Sequence, residues 1–140
     1  MSIKVVLDTN VFLSGVFFAG TPGRVLDACF SMDVEVVMSP EILAEYQAAG
    51  HALLAKHPLP FFDQFLAMLV AKATIVKPAP LPAPMCRDPK DDIFLACALA
   101  TEADCIVSGD QDLLVLAGTF PIEIIKPLEF LQRRSLKHET

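Results

Sequence analysis

Five short apolar runs, separated by longer segments of helical pattern, restrict the possible folds of this chain more than any other feature. They are Ile3-Lys4-Val5-Val6-Leu7, Val34-Glu35-Val36-Val37-Met38, Thr74-Ile75-Val76-Lys77, Asp104-Cys105-Ile106-Val107-Ser108 and Ile122-Glu123-Ile124-Ile125. Each is strand-length and rich in β-branched residues, and the continuous apolar character suits strands covered on both faces. Strands alternating with helices predict an α/β fold with three layers, α/β/α, around a five-stranded parallel sheet. A length of 140 residues fits one domain over 1–140.

The intervening segments carry their own start and stop signals. Residues 11–18 are apolar and read as one or two helical turns. Gly20-Thr21-Pro22-Gly23 reads as a turn, with Thr21 capping a helix that continues through Phe30. Ser39-Pro40-Glu41 places a hydroxyl cap, a proline and an acid in the order of a helix start, with Ile42, Leu43 and Tyr46 on one side. Residues 61–73 form an amphipathic pattern in which Phe61, Phe62 and Phe65 are assigned to the core. Pro78, Pro80, Pro82 and Pro84 exclude helix and inner strand and predict an extended loop. Pro127 opens a last helix, and the basic tail over 133–140 is expected to fray.

Composition excludes several classes. With 54% hydrophobic residues the chain is too apolar to be disordered. Charges or prolines interrupt every apolar run before it reaches membrane-spanning length. Met1-Ser2-Ile3-Lys4 lacks the layout of a secretory signal. Cys29, Cys86, Cys97 and Cys105 are too dispersed for a zinc site or a disulfide framework, so reduced thiols in a cytoplasmic protein are expected.

Acidic residues supply the candidate chemistry. Arg87-Asp88-Pro89-Lys90-Asp91-Asp92 packs three carboxylates into five residues just before the apolar run that starts at Ile93. Asp88 can cap a helix with Pro89 in its first turn, and Asp91 reads as an ordinary first-turn acid in a supporting role at the site. Asp92, directly before the apolar face, is the better ligand candidate of the two. Other acids follow predicted strands: Asp8 the first, Glu41 and Glu45 the second, Asp110 and Asp112 the fourth. Capping accounts for Asp8, Glu41, Asp110 or Asp112 taken singly, but not for Glu45, one turn inside its helix. Parallel sheets bind ligands beyond the carboxyl ends of their strands, so these acids are expected to share one crevice. Gathered carboxylates repel one another and require protons or a cation, and oxygen ligands suit Mg²⁺ or Mn²⁺. The net charge of −6 argues against a polyanionic partner only if it is spread evenly. Setting aside Asp8, Glu41, Glu45, Asp88, Asp91, Asp92, Asp110 and Asp112 leaves nine acids against 11 lysines and arginines, a balance of +2.

Four blocks of the chain resemble the PIN-domain family, and within it the bacterial VapC-like branch of toxins from toxin–antitoxin systems. They are Val5-Val6-Leu7-Asp8-Thr9-Asn10-Val11, Ser39-Pro40-Glu41-Ile42-Leu43-Ala44-Glu45, Arg87 through Ala96, and Val107-Ser108-Gly109-Asp110-Gln111-Asp112-Leu113-Leu114. The resemblance implies a PIN-like sheet and a metal-dependent endoribonuclease that hydrolyses single-stranded RNA with Mg²⁺ or Mn²⁺. By position Asp8, Glu45 and Asp92 match the first three family acids, and the fourth falls on Asp110 or Asp112. Thr9 and Ser108 match small polar residues that orient an acid or a water. Homodimers and a small antitoxin partner are further implications of the family. Arg87 and Lys90 are candidates for RNA backbone contacts, and Glu45 for positioning or deprotonating the attacking water. A phosphoryl-transfer domain on a similar sheet would want a second aspartate two residues after the first, and Asn10 stands there. The alternative from another class is an RNA-binding or protein-interaction module with a structural metal and no nuclease activity.

Overall fold

The computed structural model describes residues 2–139, with side chains through Leu136. In chain order the elements are β1 (Ile3–Leu7), α1 (Thr9–Phe18), α2 (Gly20–Cys29), β2 (Val34–Met38), α3 (Pro40–Leu54), α4 (Phe62–Lys72) and β3 (Thr74–Ile75). A 3-10 turn over Pro89–Asp91 leads into α5 (Asp92–Thr101), followed by β4 (Cys105–Val107), α6 (Gln111–Leu114), β5 (Glu123–Ile125) and α7 (Pro127–Glu139).

The five strands form one parallel sheet in the order β3-β2-β1-β4-β5. The chain winds outward from β1 to β3, crosses back, and winds the other way through β4 and β5. Right-handed crossovers in opposite directions put their helices on opposite faces. The reversal between β1 and β4 is the topological switch point, and the carboxyl ends of these strands open onto Asp8 and Ser108. Val5, Val6 and Leu7 of β1 and Ile106 and Val107 of β4 are fully buried, as their unbroken apolar sequences require.

Several local expectations are corrected. Thr21 does not cap α2. The helix begins at Gly20, directly after Ala19. Ala19 and Gly20 both take positive φ, 59° and 64°, which redirects the chain within two residues and leaves Thr-Pro-Gly free to be helical. Pro22 then lies in the first turn, where its missing N–H is not needed. Phe61 is 53% exposed rather than core, because α4 starts one residue later and turns Phe62, Leu66 and Leu69 inward. The third strand is reduced to two exposed residues at the sheet edge.

Arg133 and Arg134, placed by the sequence in a frayed tail, are helical. Arg134 grips Asp33 with two nitrogens, Nε at 2.8 Å and Nη2 at 3.2 Å, and its Nη2 also reaches Ser31 Oγ at 3.1 Å. That fork ties α7 to the loop between α2 and β2, and the tie is invisible to local propensity. Lys72 fastens the same loop from the other side, donating to the carbonyls of Cys29, Ser31 and Val34 at 2.8, 2.9 and 3.0 Å. It thereby serves the last carbonyl of α2 and two more on the way into β2.

Cys29, Cys86, Cys97 and Cys105 are free and buried, and burial is the main cause that pushes each thiol up to about 12. Among the described residues no helix is long and apolar enough to cross a membrane.

Candidate active site

Asp8 ends β1 and caps α1, its carboxylate accepting the Val11 N–H at 2.8 Å. It is buried, and burial holds its carboxyl above the ordinary range, with Asp110 adding repulsion. Ser108 and two backbone N–H groups oppose that rise. Ser108, at the end of β4, donates its hydroxyl to Asp8 and accepts the Asp110 N–H at 2.9 Å. One buried serine therefore joins the acids of β1 and β4. Asp110 caps α6 by accepting the Asp112 N–H at 2.9 Å.

Asp91 completes a cluster. Ligand oxygens of Asp91, Asp110 and Asp112 all lie within 4.8 Å of one another. Burial is the largest cause raising Asp91, followed by repulsion from Asp110, Asp88, Asp112 and Asp8, and together they push it up to about 6. Asp88 caps the 3-10 turn by accepting the Lys90 N–H at 3.1 Å, the role that capping chemistry assigns it.

Asp92, the sequence's third ligand candidate, is placed elsewhere. Its Oδ1 accepts the backbone N–H of Cys86 at 2.9 Å, and Oδ2 accepts that of Met85 at 3.2 Å. The carboxylate pins the end of the proline-rich loop to the start of α5, while Asp91, expected only as a supporting first-turn acid, joins the cluster. The orientation of α5 in the fold separates the two acids. Phe94, Leu95 and Ala98, at three, four and seven residues beyond Asp91, are all buried. The same offsets from Asp92 lead to Leu95, Ala96 and then Leu99, which is 38% exposed.

Glu45 is exposed on α3, its side chain has no hydrogen bond or ion pair among the described residues, and it is not one of the three converging acids. Its neighbour Tyr46 is buried, stacks on Phe12 with ring centroids 4.4 Å apart, and donates its hydroxyl to the Leu7 carbonyl at 2.6 Å. That bond fixes α3 to the end of β1, next to Asp8. Thr9 Oγ1 is the one buried side-chain polar atom without a partner among the described residues.

The donor set fits a hard divalent cation. It offers carboxylate oxygens without thiols or imidazoles, burial and then mutual repulsion raise two of its acids, and it has an unpartnered hydroxyl at Thr9, the residue after Asp8.

Comparison with known proteins then decides the family. The PIN domain family model matches residues 4–112. The chain belongs to the PIN-domain family. This PIN domain is also 32% identical over 144 residues to an uncharacterized protein of Methanocaldococcus jannaschii, MJ1680, covering 94% of this chain and 92% of that protein. Among solved structures it is similar to PAE2754 from Pyrobaculum aerophilum, with a TM-score of 0.61 at 12% identity, covering 94% of this chain and 88% of that one. It is similar too to VapBC2 from Rickettsia felis, solved bound to a DNA fragment from their promoter. There the TM-score is 0.56 at 14% identity, with coverage of 89% and 98%. At such identities the structural likeness speaks for the PIN fold.

Proposed function

We propose that this PIN domain is a metal-dependent endoribonuclease that hydrolyses phosphodiester bonds of single-stranded RNA. The observation that carries the proposal is the meeting of Asp91, Asp110 and Asp112 at the switch point of the sheet, with Asp8 joined to them through Ser108. PIN domains are as a rule metal-dependent nucleases, and this cluster would supply the ligands for that chemistry.

Asp91, Asp110 and Asp112, with Asp8 behind them, would hold Mg²⁺ or Mn²⁺. When bound, the ion supplies Lewis-acid activation of water and neutralises charge developing on the phosphodiester. The chain's own residues do the rest. Ser108 keeps Asp8 oriented toward the cluster. Glu45, on the helix that Tyr46 anchors, would orient or deprotonate the attacking water. Arg87 and Lys90 would receive the RNA backbone. Asp92 shapes the site by fixing residues 85 and 86. The likeness to VapBC2 favours a toxin role with a small antitoxin as partner.

Purified protein is expected to cut labelled single-stranded RNA with Mn²⁺ and not with EDTA, and Asp8→Asn is expected to remove the cutting. Metal uptake by calorimetry without any cleavage would instead identify a binding module with a structural ion. Cleavage that survives Asp8→Asn would place the chemistry outside this cluster.

The raised acids also make a pH prediction. Asp91 in the folded, metal-free protein stands near 6 against 3.8 for the free group. The native state therefore holds a proton that the unfolded chain has released between these values. Its stabilising effect is complete below about 4 and is lost as the pH rises through 6. Asp8 shifts in the same direction. With EDTA, the melting temperature is expected to fall between pH 4.5 and 7. Mg²⁺ or Mn²⁺ should raise it more at pH 7.5 than at pH 5, as scanning fluorimetry would show. An equal rise at both values would contradict cation binding at these acids.

A further inference from the structure

Arg87 sits against the cluster in a way that RNA contact alone does not explain. Its Nη2 lies 2.9 Å from Oδ1 of Asp112, one of the three converging acids. The contact is a single N–O approach between side chains that are 69% and 33% exposed. Pairs of this kind contribute about 0–1 kcal/mol, so holding the fold is not its purpose. The root of the side chain is nonetheless fixed on both sides. Asp92 binds the N–H groups of Met85 and Cys86 just before it, and Asp88 caps the 3-10 turn just after it. A fixed root with an exposed tip gives a guanidinium that can leave Asp112 without leaving the site. Lys90, the other cation of the segment, makes no ion pair among the described residues.

We propose that Arg87 is a tethered counter-ion of the cluster, holding Asp112 until a divalent cation takes that carboxylate, after which its freed guanidinium binds a phosphate oxygen of the RNA. This rests on the nuclease reading above and adds an order to it, with metal first and phosphate second. A carboxylate cluster at neutral pH repels a phosphodiester. Once a divalent ion has offset that charge, a guanidinium released at the rim offers the forked donor geometry that phosphate oxygens accept.

The test pairs wild type with Arg87→Gln. Without RNA, Mn²⁺ titrated calorimetrically should bind Arg87→Gln about twofold to fivefold more tightly, because the competing cation is gone. In wild type, Mg²⁺ should move the Arg87 Nε–H resonance with the midpoint of the binding isotherm. With RNA, Arg87→Gln should raise KM about tenfold while kcat at saturating metal changes little. Equal Mn²⁺ affinity in the two proteins, or a resonance that ignores Mg²⁺, overturns the exchange. Unchanged KM overturns the phosphate step. Wild type that shows the exchange yet cuts no RNA overturns the nuclease reading and the phosphate step, while supporting the exchange itself.

Discussion

Asp91→Ala is expected to lower RNA cleavage at least about 10²-fold and to weaken Mn²⁺ binding, while leaving the melting temperature of the metal-free protein, in EDTA at pH 7.5, unchanged or higher. Asp92→Ala is expected to do the reverse, lowering stability while the folded fraction still cuts within about tenfold of wild type. The two residues are adjacent, but their surroundings differ. Asp91 is raised first by burial and then by repulsion from Asp110, Asp88, Asp112 and Asp8, so its removal relieves both in the metal-free protein. Asp92 accepts two backbone N–H groups, of Met85 and Cys86, and Cys86 is buried. Removing that carboxylate leaves donors without partners, at a cost of about 1–3 kcal/mol. Cleavage rates, Mn²⁺ affinity and thermal unfolding of both variants decide the matter. An inactive, fully stable Asp92→Ala beside an active Asp91→Ala would assign the third ligand to Asp92 after all.

This pair also shows where the sequence stops being informative. Strand-length β-branched runs report burial on both faces directly, so the parallel sheet was legible from Val5-Val6-Leu7 and Cys105-Ile106-Val107 alone. Acids that follow strands were legible for the same reason: the end of β1 brings Asp8, and the turn after β4 brings Asp110 and Asp112, to one edge whatever the helices do. Choosing between Asp91 and Asp92 needs the phase of a helix. α5 is apolar on almost every side, so no polar face marks its orientation, and the 3-10 turn before it alters the angle between successive residues. The donors that claim Asp92 come from the end of a proline-rich loop whose path is tertiary. Thr21 as a cap and fraying at Arg133 and Arg134 failed as local readings for a related reason, while Thr140 lies outside the described residues. A redirection at Ala19 and the grip of Arg134 on Asp33 overrode local signals that were sound in themselves.

Gly50→Ala is expected to destabilise the protein by about 1–2 kcal/mol, a fall of roughly 3–7 °C in melting temperature for a domain of this size. Two effects oppose each other. Alanine favours a helix interior over glycine by about 1 kcal/mol, and Gly50 lies inside α3. A Cβ at position 50, however, would stand 2.0 Å from Cζ of Phe62 and 2.6–2.7 Å from both Cε atoms, well inside van der Waals contact. The ring has little room to retreat. Phe62 is 1% exposed, with Phe12 at 6.1 Å, Phe17 at 5.5 Å and His51 at 5.7 Å between ring centroids. Relief therefore comes from moving α3 away from α4, and overpacking outweighs propensity. That displacement bears on the site, because α3 carries Glu45 and the Tyr46 hydroxyl that anchors it to Leu7. Thermal unfolding of Gly50→Ala, alone and combined with Phe62→Leu, measures both steps. The smaller side chain should restore part of the lost stability, because the close contact disappears with the ring. A double variant less stable than the sum of the two single changes would show that α3 does not rest on Phe62 in the way this packing requires.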